Sequence, residues 1–132
     1  MNFTILPNRY AICKFAEGLP LPEWVYSSGF YSITRTKDEL SVVAVQTDSV
    51  SEDIICSRDW RILKVAGPMD LSLVGIISEI SGTLRNKDIP VFVISTFDTD
   101  YILVKQKDLD YAISALHEKG HNLAAEERDM EL

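Results

Sequence analysis

The second half of the chain carries β-rich and helical segments in the order β-α-β-β-α-β, and this order constrains the fold more than any other feature. A helix is predicted over residues 71–86, because its apolar residues recur at the 4, 3, 4 spacing of one helical face. A second helix is predicted over residues 109–119. Strands are predicted over residues 61–66, 89–96, 101–105 and 121–125, and the periodic apolar residues are Leu73, Ile77, Ile80 and Leu84.

Capping residues mark both ends of the second helix. Asp108 is placed to serve as the N-cap, and Gly120 follows the last turn, where a left-handed residue commonly ends a helix. The order of elements is that of a ferredoxin-like split βαβ unit, in which an antiparallel sheet carries both helices on one face. The predicted fold class is therefore α+β.

The first half reads as a degenerate copy of the same unit. Residues 32–43 can be aligned with residues 93–104, and residues 12–15 with residues 62–65. The proline-rich segment 17–22 takes the place of the first helix, since proline removes an amide donor and favours extended neighbours. Strands are predicted over residues 3–6, 10–15, 30–36 and 40–45, and one short helical turn over residues 49–54.

The alignment predicts two ferredoxin-like units in tandem. The first, degenerate unit is expected over residues 1–58, and the complete unit over residues 59–132. The helix that is missing from the first unit leaves a sheet face that needs a cover, so a homodimer is expected.

The chain is acidic, with 20 Asp and Glu residues against 13 Lys and Arg residues and a formal net charge of −7. Such a charge repels nucleic acid and anionic membranes, so neither is expected as a partner. The longest apolar runs are shorter than a membrane span, and the first residues show no signal-peptide pattern. A cytoplasmic protein is expected, with residues 126–131 as a solvated acidic tail.

Two cysteines, Cys13 and Cys56, each lie in or beside an apolar run. In that setting a free cysteine behaves as a small apolar residue, and both are expected to be free. The sequence has no CxxC motif and no Cys/His cluster. Neither a metal nor a cofactor is therefore expected.

The turn between the predicted strand 61–66 and the helix 71–86 is a candidate binding loop. Pro68 precedes the helix and Asp70 can cap it, while the first helix amides have no partner within the helix and attract carboxylates. Gly67 and Gly75 lack side chains, so a ligand can approach closely at either. Turns of this composition are also common as plain connections, and both interpretations stay open.

A second candidate lies at the turn between the strands 89–96 and 101–105. Its hydroxyls and carboxylates suit an ammonium or guanidinium group of a ligand whose carboxylate lies at the loop. As turn residues they are also ordinary. The group extends from Ser95 to Tyr101, and its candidate ligand-binding residues are Thr96, Phe97, Asp98, Thr99 and Asp100.

Catalysis has little support in the sequence. His117 and His121 lie near the end of the second helix, and no Ser, Cys or Asp stands in a nucleophile motif. P-loop and GxGxxG motifs are absent. No catalytic residue is predicted, and an enzyme is the least favoured of the hypotheses.

Residues 60–70, the helix start Val74-Gly75-Ile76 and residues 94–104 resemble the small tandem ACT-domain proteins of bacteria, and are similar to the ACT domains of aspartate kinases and the CASTOR arginine sensors. The resemblance implies a non-catalytic regulatory module that binds an amino acid where the first strand meets the first helix, often where two ACT units pair. It implies Asp100, and second to it Asp98, as the acid that recognises the ligand side chain. The loop residues it implies are Gly67, Pro68, Met69, Asp70, Leu71, Ser72, Val74, Gly75 and Ile76.

Two functions remain to be separated. The first is an amino-acid sensor that acts on a regulated protein partner. The alternative is a structural or assembly module that has the same fold and uses it for protein contacts without a ligand.

Overall fold

The computed structural model describes residues 1–16, 18, 20–48, 50, 54–66 and 75–125. The chain forms two compact units, here called the first unit, Asn8–Trp60, and the second unit, Met1–Pro7 with Arg61–Leu132. The sequence-based division placed residues 1–7 in the first unit. The structure groups them with the second, because the first strand pairs with strands of that unit.

Eight strands supply most of the regular structure in the described part of the chain. The predicted strands 10–15 and 40–45 are confirmed with unchanged bounds. The strand predicted over 61–66 is longer and already begins at Ile55. In chain order the strands are β1 (Asn2–Ile5), β2 (Tyr10–Phe15), β3 (Ser32–Arg35), β4 (Leu40–Val45), β5 (Ile55–Val65), β6 (Phe92–Ser95), β7 (Asp100–Lys105) and β8 (Asn122–Ala125).

Among the residues that the structure describes, three α-helices accompany the strands. The first, α1, is a four-residue helix after the proline-rich segment, where no helix was expected. It forms because Val25 is fully buried in the core of the first unit and anchors the turn. The helices are α1 (Glu23–Tyr26), α2 (Ile76–Arg85) and α3 (Leu109–Glu118), and a 3-10 turn, Gln106–Asp108, precedes α3.

In the first unit the strand order is β3-β4-β2-β5. The pairings between these neighbours are antiparallel, with Phe15 opposite Leu40 and Cys13 opposite Cys56. This is the strand order of a ferredoxin-like unit. The core consists of Ala11, Cys13, Phe15, Val25, Leu40, Val42 and Ala44.

In the second unit the order is β6-β7-β5-β1-β8. This order corresponds to that of the first unit, except that β1 lies between β5 and the last strand, β8. Strand β1 is antiparallel to β5 and parallel to β8. Helices α2 and α3 both pack on one apolar cluster of the sheet, which confirms the predicted α+β class. The cluster consists of Phe3, Leu63, Val65, Ile80, Leu84, Ile89, Ile102, Val104, Leu109, Ala112, Ala115 and Leu116.

The two units repeat one hairpin, and its register corrects the sequence alignment. The Thr96 amide donates to the Thr99 carbonyl at 2.8 Å, and the Thr36 amide donates to the Glu39 carbonyl at 2.9 Å. In both turns the threonine hydroxyl also accepts from the amide three residues later. The structural offset is therefore 60 residues, whereas the alignment of residues 32–43 with 93–104 has an offset of 61.

The two long helices differ in how well the sequence predicts their ends. Gly120 has φ +89°, and the amides of Gly120 and His121 donate to His117 and Leu116, which confirms the predicted C-terminal cap of α3. Asp108 occupies the N-cap position, but among the described residues its side chain forms no capping hydrogen bond.

Helix α2 begins later than predicted. Its first residue is Ile76 and its N-cap is Gly75, with φ +86°, so Asp70 is not the N-cap of this helix. Glycine is favoured there because a left-handed backbone costs other residues steric energy. Asp70 and Leu73 themselves lie outside the described residues, as do most of the predicted turn 49–54 and the acidic tail.

The prediction that both cysteines are free is wrong. Cys13 and Cys56 lie directly opposite each other on β2 and β5 and form a disulfide. They are 43 residues apart in the chain, and only the strand register brings them together. No helix within the described ranges is long and apolar enough to cross a membrane.

Candidate functional site

The predicted site residues fall into a described group and a group outside the described residues. The described residues belong to the β6–β7 turn and the start of α2: Gly75, Ile76, Thr96, Phe97, Asp98, Thr99 and Asp100. The other loop residues lie outside the described part of the chain: Gly67, Pro68, Met69, Asp70, Leu71, Ser72 and Val74.

The β6–β7 turn is fixed by threonine side chains. The Thr96 hydroxyl donates to the Thr99 carbonyl at 3.1 Å and accepts from the Thr99 amide at 3.3 Å. The Thr99 hydroxyl donates to the Val65 carbonyl at 2.7 Å, and Thr99 is only 5% exposed. The turn is therefore held against the carboxyl end of β5, immediately before the candidate loop.

Asp100, the first residue of β7, carries a buried carboxylate beside this contact. Asp100 is 8% exposed, and its Oδ1 accepts a hydrogen bond from the Ser95 hydroxyl at 2.5 Å. A buried carboxylate is costly unless it is well paired, because it loses its hydration. A carboxylate that accepts one hydroxyl hydrogen bond still has acceptor positions for a cationic group of a ligand.

The internal repeat strengthens this interpretation. With the offset of 60, Asp100 corresponds to Leu40, the first residue of β4, which is 2% exposed. Along strands β4 and β7, buried and half-buried residues follow each other in the same order. The fold therefore accepts an apolar side chain at this position, and the carboxylate of the second unit is not needed for the strand itself.

The N-terminus of α2 follows the candidate loop. The first hydrogen bond of the helix runs from the Glu79 amide to the Gly75 carbonyl at 2.8 Å. The amides of Ile76, Ile77 and Ser78 thus have no acceptor within the helix, and the helix dipole adds partial positive charge there. Such an end suits a carboxylate.

Comparisons with known proteins bear on the family of the chain. The ACT domain family model matches residues 55–118. Protein Atu0741 from Agrobacterium tumefaciens, known from a crystal structure, is 35% identical, with a TM-score of 0.86 over 96% of this chain and 94% of that chain. The chain belongs to the ACT-domain family. A further family model, described only as an N-terminal domain, matches residues 8–53.

Two other matches are more distant. The rat protein named cytosolic arginine sensor for mTORC1 subunit 1 is 30% identical over 69 residues, or 52% of this chain. This chain covers only 21% of the rat protein. The regulatory subunit of aspartate kinase from Thermus thermophilus has a TM-score of 0.60 at 10% identity, over 88% of this chain and 95% of that chain, and shows the fold alone.

The sequence placed Ser95 in the same turn region as Asp100, but it did not predict that the two side chains form a hydrogen bond. Ser95 holds the Asp100 carboxylate, and the two residues pair across the β6–β7 ladder. The signal was the strand register, because residues at the two ends of a short hairpin face each other. Phe97 and Asp98, by contrast, lie at the exposed tip of the turn, and Phe97 is 82% exposed.

A separate cavity of about 370 Å³ lies along α3 of the ACT domain, and none of the predicted site residues lines it. Among the residues that the structure describes, no group of three or more His, Cys, Asp and Glu side chains is arranged to hold a metal ion. The cavity is lined by Lys87, Ile89, Asp108, Tyr111, Ser114, Ala115 and Glu118.

Proposed function

We propose that this chain is a non-catalytic regulatory module that senses a small amino acid. The ligand binds at the loop between β5 and α2, beside the β6–β7 turn. The buried carboxylate of Asp100 carries the proposal, because it follows Thr99, whose hydroxyl bonds to the end of β5, and because the repeat has Leu40 in its position.

The chain offers complementary groups for the two charges of an amino acid. The ligand carboxylate meets the first amides of α2, Ile76 and Ile77, together with the loop residues 67–74. A positively charged group of the ligand meets the Asp100 carboxylate, which Ser95 orients. Thr99 fixes the distance between the two parts, since its hydroxyl ties the turn to Val65.

This arrangement favours an amino acid with a cationic side chain. A carboxylate with little exposure gains more from a guanidinium or ammonium group than from a neutral side chain. The name of the rat relative also points to arginine. Arginine is therefore the first ligand to test, and lysine the second.

The sensor works by biasing the geometry of an assembly. We propose a cytoplasmic homodimer that contacts a regulated protein, with the ligand changing the balance of two states by its differential affinity. Size-exclusion chromatography with light scattering, with and without arginine, measures the oligomeric state directly. A monomer under both conditions would contradict the dimer.

The exposed tip of the turn favours the second candidate function, an assembly module without a ligand. Phe97, at the tip of the β6–β7 turn, exposes most of its side chain. Exposed aromatic residues of this kind are common in protein interfaces. In that case the same surface serves a protein contact only.

Thermal unfolding with each common amino acid at millimolar concentration separates the two functions. Ligand at 100 times its dissociation constant adds about 2.7 kcal/mol to the free energy of unfolding, which is a shift of several degrees. Asp100→Asn should lose the shift, and the exposed Asp98→Asn is the matched control that should keep it. If no amino acid shifts the transition, the sensor is refuted and the assembly module is favoured.

A further inference from the structure

Cys13 and Cys56 are the two cysteines of the chain, and they face each other within the first unit. Their Cα atoms are 4.1 Å apart, and their sulfur atoms form a disulfide. The pair bridges β2 and β5 next to the end of their ladder, where Lys14 opposite Ile55 is the last pair. The disulfide therefore fastens the start of β5.

The two sulfur atoms differ in how easily a reagent reaches them. Cys13 is 2% exposed and belongs to the core of the first unit. Cys56 is half-buried and packs against that core from outside it. An accessible thiol beside a buried partner is the usual arrangement of an attacking and a resolving cysteine.

We propose that Cys13 and Cys56 are a reversible dithiol–disulfide pair that reacts with low-molecular-weight disulfides such as oxidised glutathione. The Cys56 thiolate attacks one sulfur of the disulfide, forms a mixed disulfide and releases one thiol. The Cys13 thiolate then attacks the Cys56 sulfur, closes the cross-strand bond and releases the second thiol. Two protein thiols are oxidised, and one disulfide is reduced to two thiols.

The redox state of the pair controls how firmly the start of β5 is held. The pair next to the disulfide is Ile12 opposite Ser57. Between this pair and the pair Tyr10–Trp60, a β-bulge interrupts the register of β2 and β5. The stretch of β2–β5 ladder that contains the disulfide therefore extends only from Lys14 to Ile12. The bulge limits it on one side, and the end of the ladder limits it on the other. Without the covalent bond this part of β5 opens more often, while the rest of the first unit keeps its core.

The proposal does not depend on amino-acid binding, because both cysteines and their surroundings lie in the first unit. It also explains why two cysteines 43 residues apart occupy one cross-strand pair. Closing a loop of that length restricts the unfolded chain, so oxidation should also raise the melting temperature, by about 5–15 °C.

The first test is a redox titration of the full chain in glutathione buffers, with free thiols alkylated and counted by intact mass. We expect one transition between a species with two labels and a species with none, reached from both the reduced and the oxidised side. Labelling of both thiols at the highest content of oxidised glutathione would overturn the proposal. Failure of dithiothreitol to release both thiols under native conditions would overturn it too.

Two single-thiol variants test the roles of the sulfur atoms. Cys13→Ala leaves Cys56, which should form a stable mixed disulfide with glutathione. Cys56→Ala leaves Cys13, which should react at least tenfold more slowly. Equal rates would overturn the assignment of Cys56 as the attacking thiol.

Hydrogen exchange on the wild-type chain keeps the proposal testable if a variant fails to fold. With Cα atoms 4.1 Å apart, Cys13 and Cys56 are a non-hydrogen-bonded pair of the ladder, so the adjacent pair, Ile12 and Ser57, carries the backbone hydrogen bonds. Reduction should lower the protection of the Ser57 amide at least tenfold. The amides of Leu63 and Val65, in the second unit, should keep their protection and serve as the internal reference. Unchanged protection at Ser57 would overturn the structural consequence.

Discussion

The Thr99 hydroxyl donates a 2.7 Å hydrogen bond to the backbone carbonyl of Val65, and this contact joins the β6–β7 turn to the end of β5. Both groups are buried, so neither finds water as a substitute partner. The contact fixes Asp100, the next residue, close in the chain to a group that is tied to the end of β5. It is the structural basis of the proposed site.

Thr99→Val removes this hydrogen bond and keeps the shape of the side chain. The Val65 carbonyl loses a buried partner, so the free energy of unfolding should fall by about 1–3 kcal/mol. Urea denaturation measures the change. Thr96→Val is the control, since its hydroxyl serves only the exposed turn, and it should cost less than about 1 kcal/mol; equal costs would contradict the account.

Two glycines of the α2 region should respond to alanine with opposite signs. Gly75 has φ +86° at the N-cap, so Gly75→Ala should lower the free energy of unfolding by about 1 kcal/mol. Gly82 lies inside α2, and no described atom lies within 4 Å of an added Cβ. Gly82→Ala should therefore raise the free energy of unfolding by about 0.5–1 kcal/mol.

Chemical denaturation of both variants against the wild type tests the geometry of the helix start. The same substitution is made in the same helix, so differences in side-chain burial are small. A stabilising Gly75→Ala would show that the helix begins earlier than Ile76, as the sequence pattern predicts.

Gln46 holds a strained residue in the first unit. Asp59 has φ +65° at the bulge of β5, where its amide donates to Gln46 Oε1 at 2.7 Å and its carboxylate accepts from Gln46 Nε2 at 3.0 Å. Gln46→Ala should lower the free energy of unfolding by about 1–2 kcal/mol, measured in urea. Arg9, whose contact with Asp59 is exposed, is the control: Arg9→Ala should cost at most about 0.5 kcal/mol.

Local patterns predicted much of the fold. The predicted bounds of β2 and β4 agree residue for residue with the structure, because β-rich runs bounded by turn residues are recognised from neighbouring residues alone. The end of α3 follows from Gly120, because glycine readily adopts the left-handed conformation that closes a helix. The order of these elements then sufficed to predict the fold class.

The features of the fold that were not predicted from the sequence depend mainly on pairing between distant segments of the chain. The insertion of β1 between β5 and β8, and the disulfide between Cys13 and Cys56, depend on strand neighbours that are far apart in the chain. The start of α2 was missed for another reason. Asp70 has the better N-cap side chain, whereas the structure uses the backbone freedom of Gly75.

In the candidate site, too, local patterns predicted some residues, whereas non-local contacts determine their partners. The crowding of hydroxyls and carboxylates in one turn singled out Asp100 and Thr99. Their partners, Ser95 and the Val65 carbonyl, are determined by the register of β6 and β7 and by the approach of β5. The off-by-one alignment of the two hairpins hid the correspondence of Asp100 with Leu40.

That correspondence predicts how Asp100→Leu behaves. The variant places in the second unit the residue that the first unit has at the same position of the repeat. Burial of an apolar side chain replaces burial of a charge, so the free energy of unfolding should stay unchanged or rise by about 1 kcal/mol. A loss of 2 kcal/mol or more in urea denaturation would show that the carboxylate supports the fold.

The most direct test of the sensor is calorimetric titration of the wild type and of Asp100→Leu, in parallel, with arginine and then with every amino acid that raises the melting temperature. We expect saturable binding to the folded wild type and at least a hundredfold weaker binding to the equally folded variant. Equal affinity of the two proteins, or no binding of any amino acid to the wild type, would contradict the proposed site.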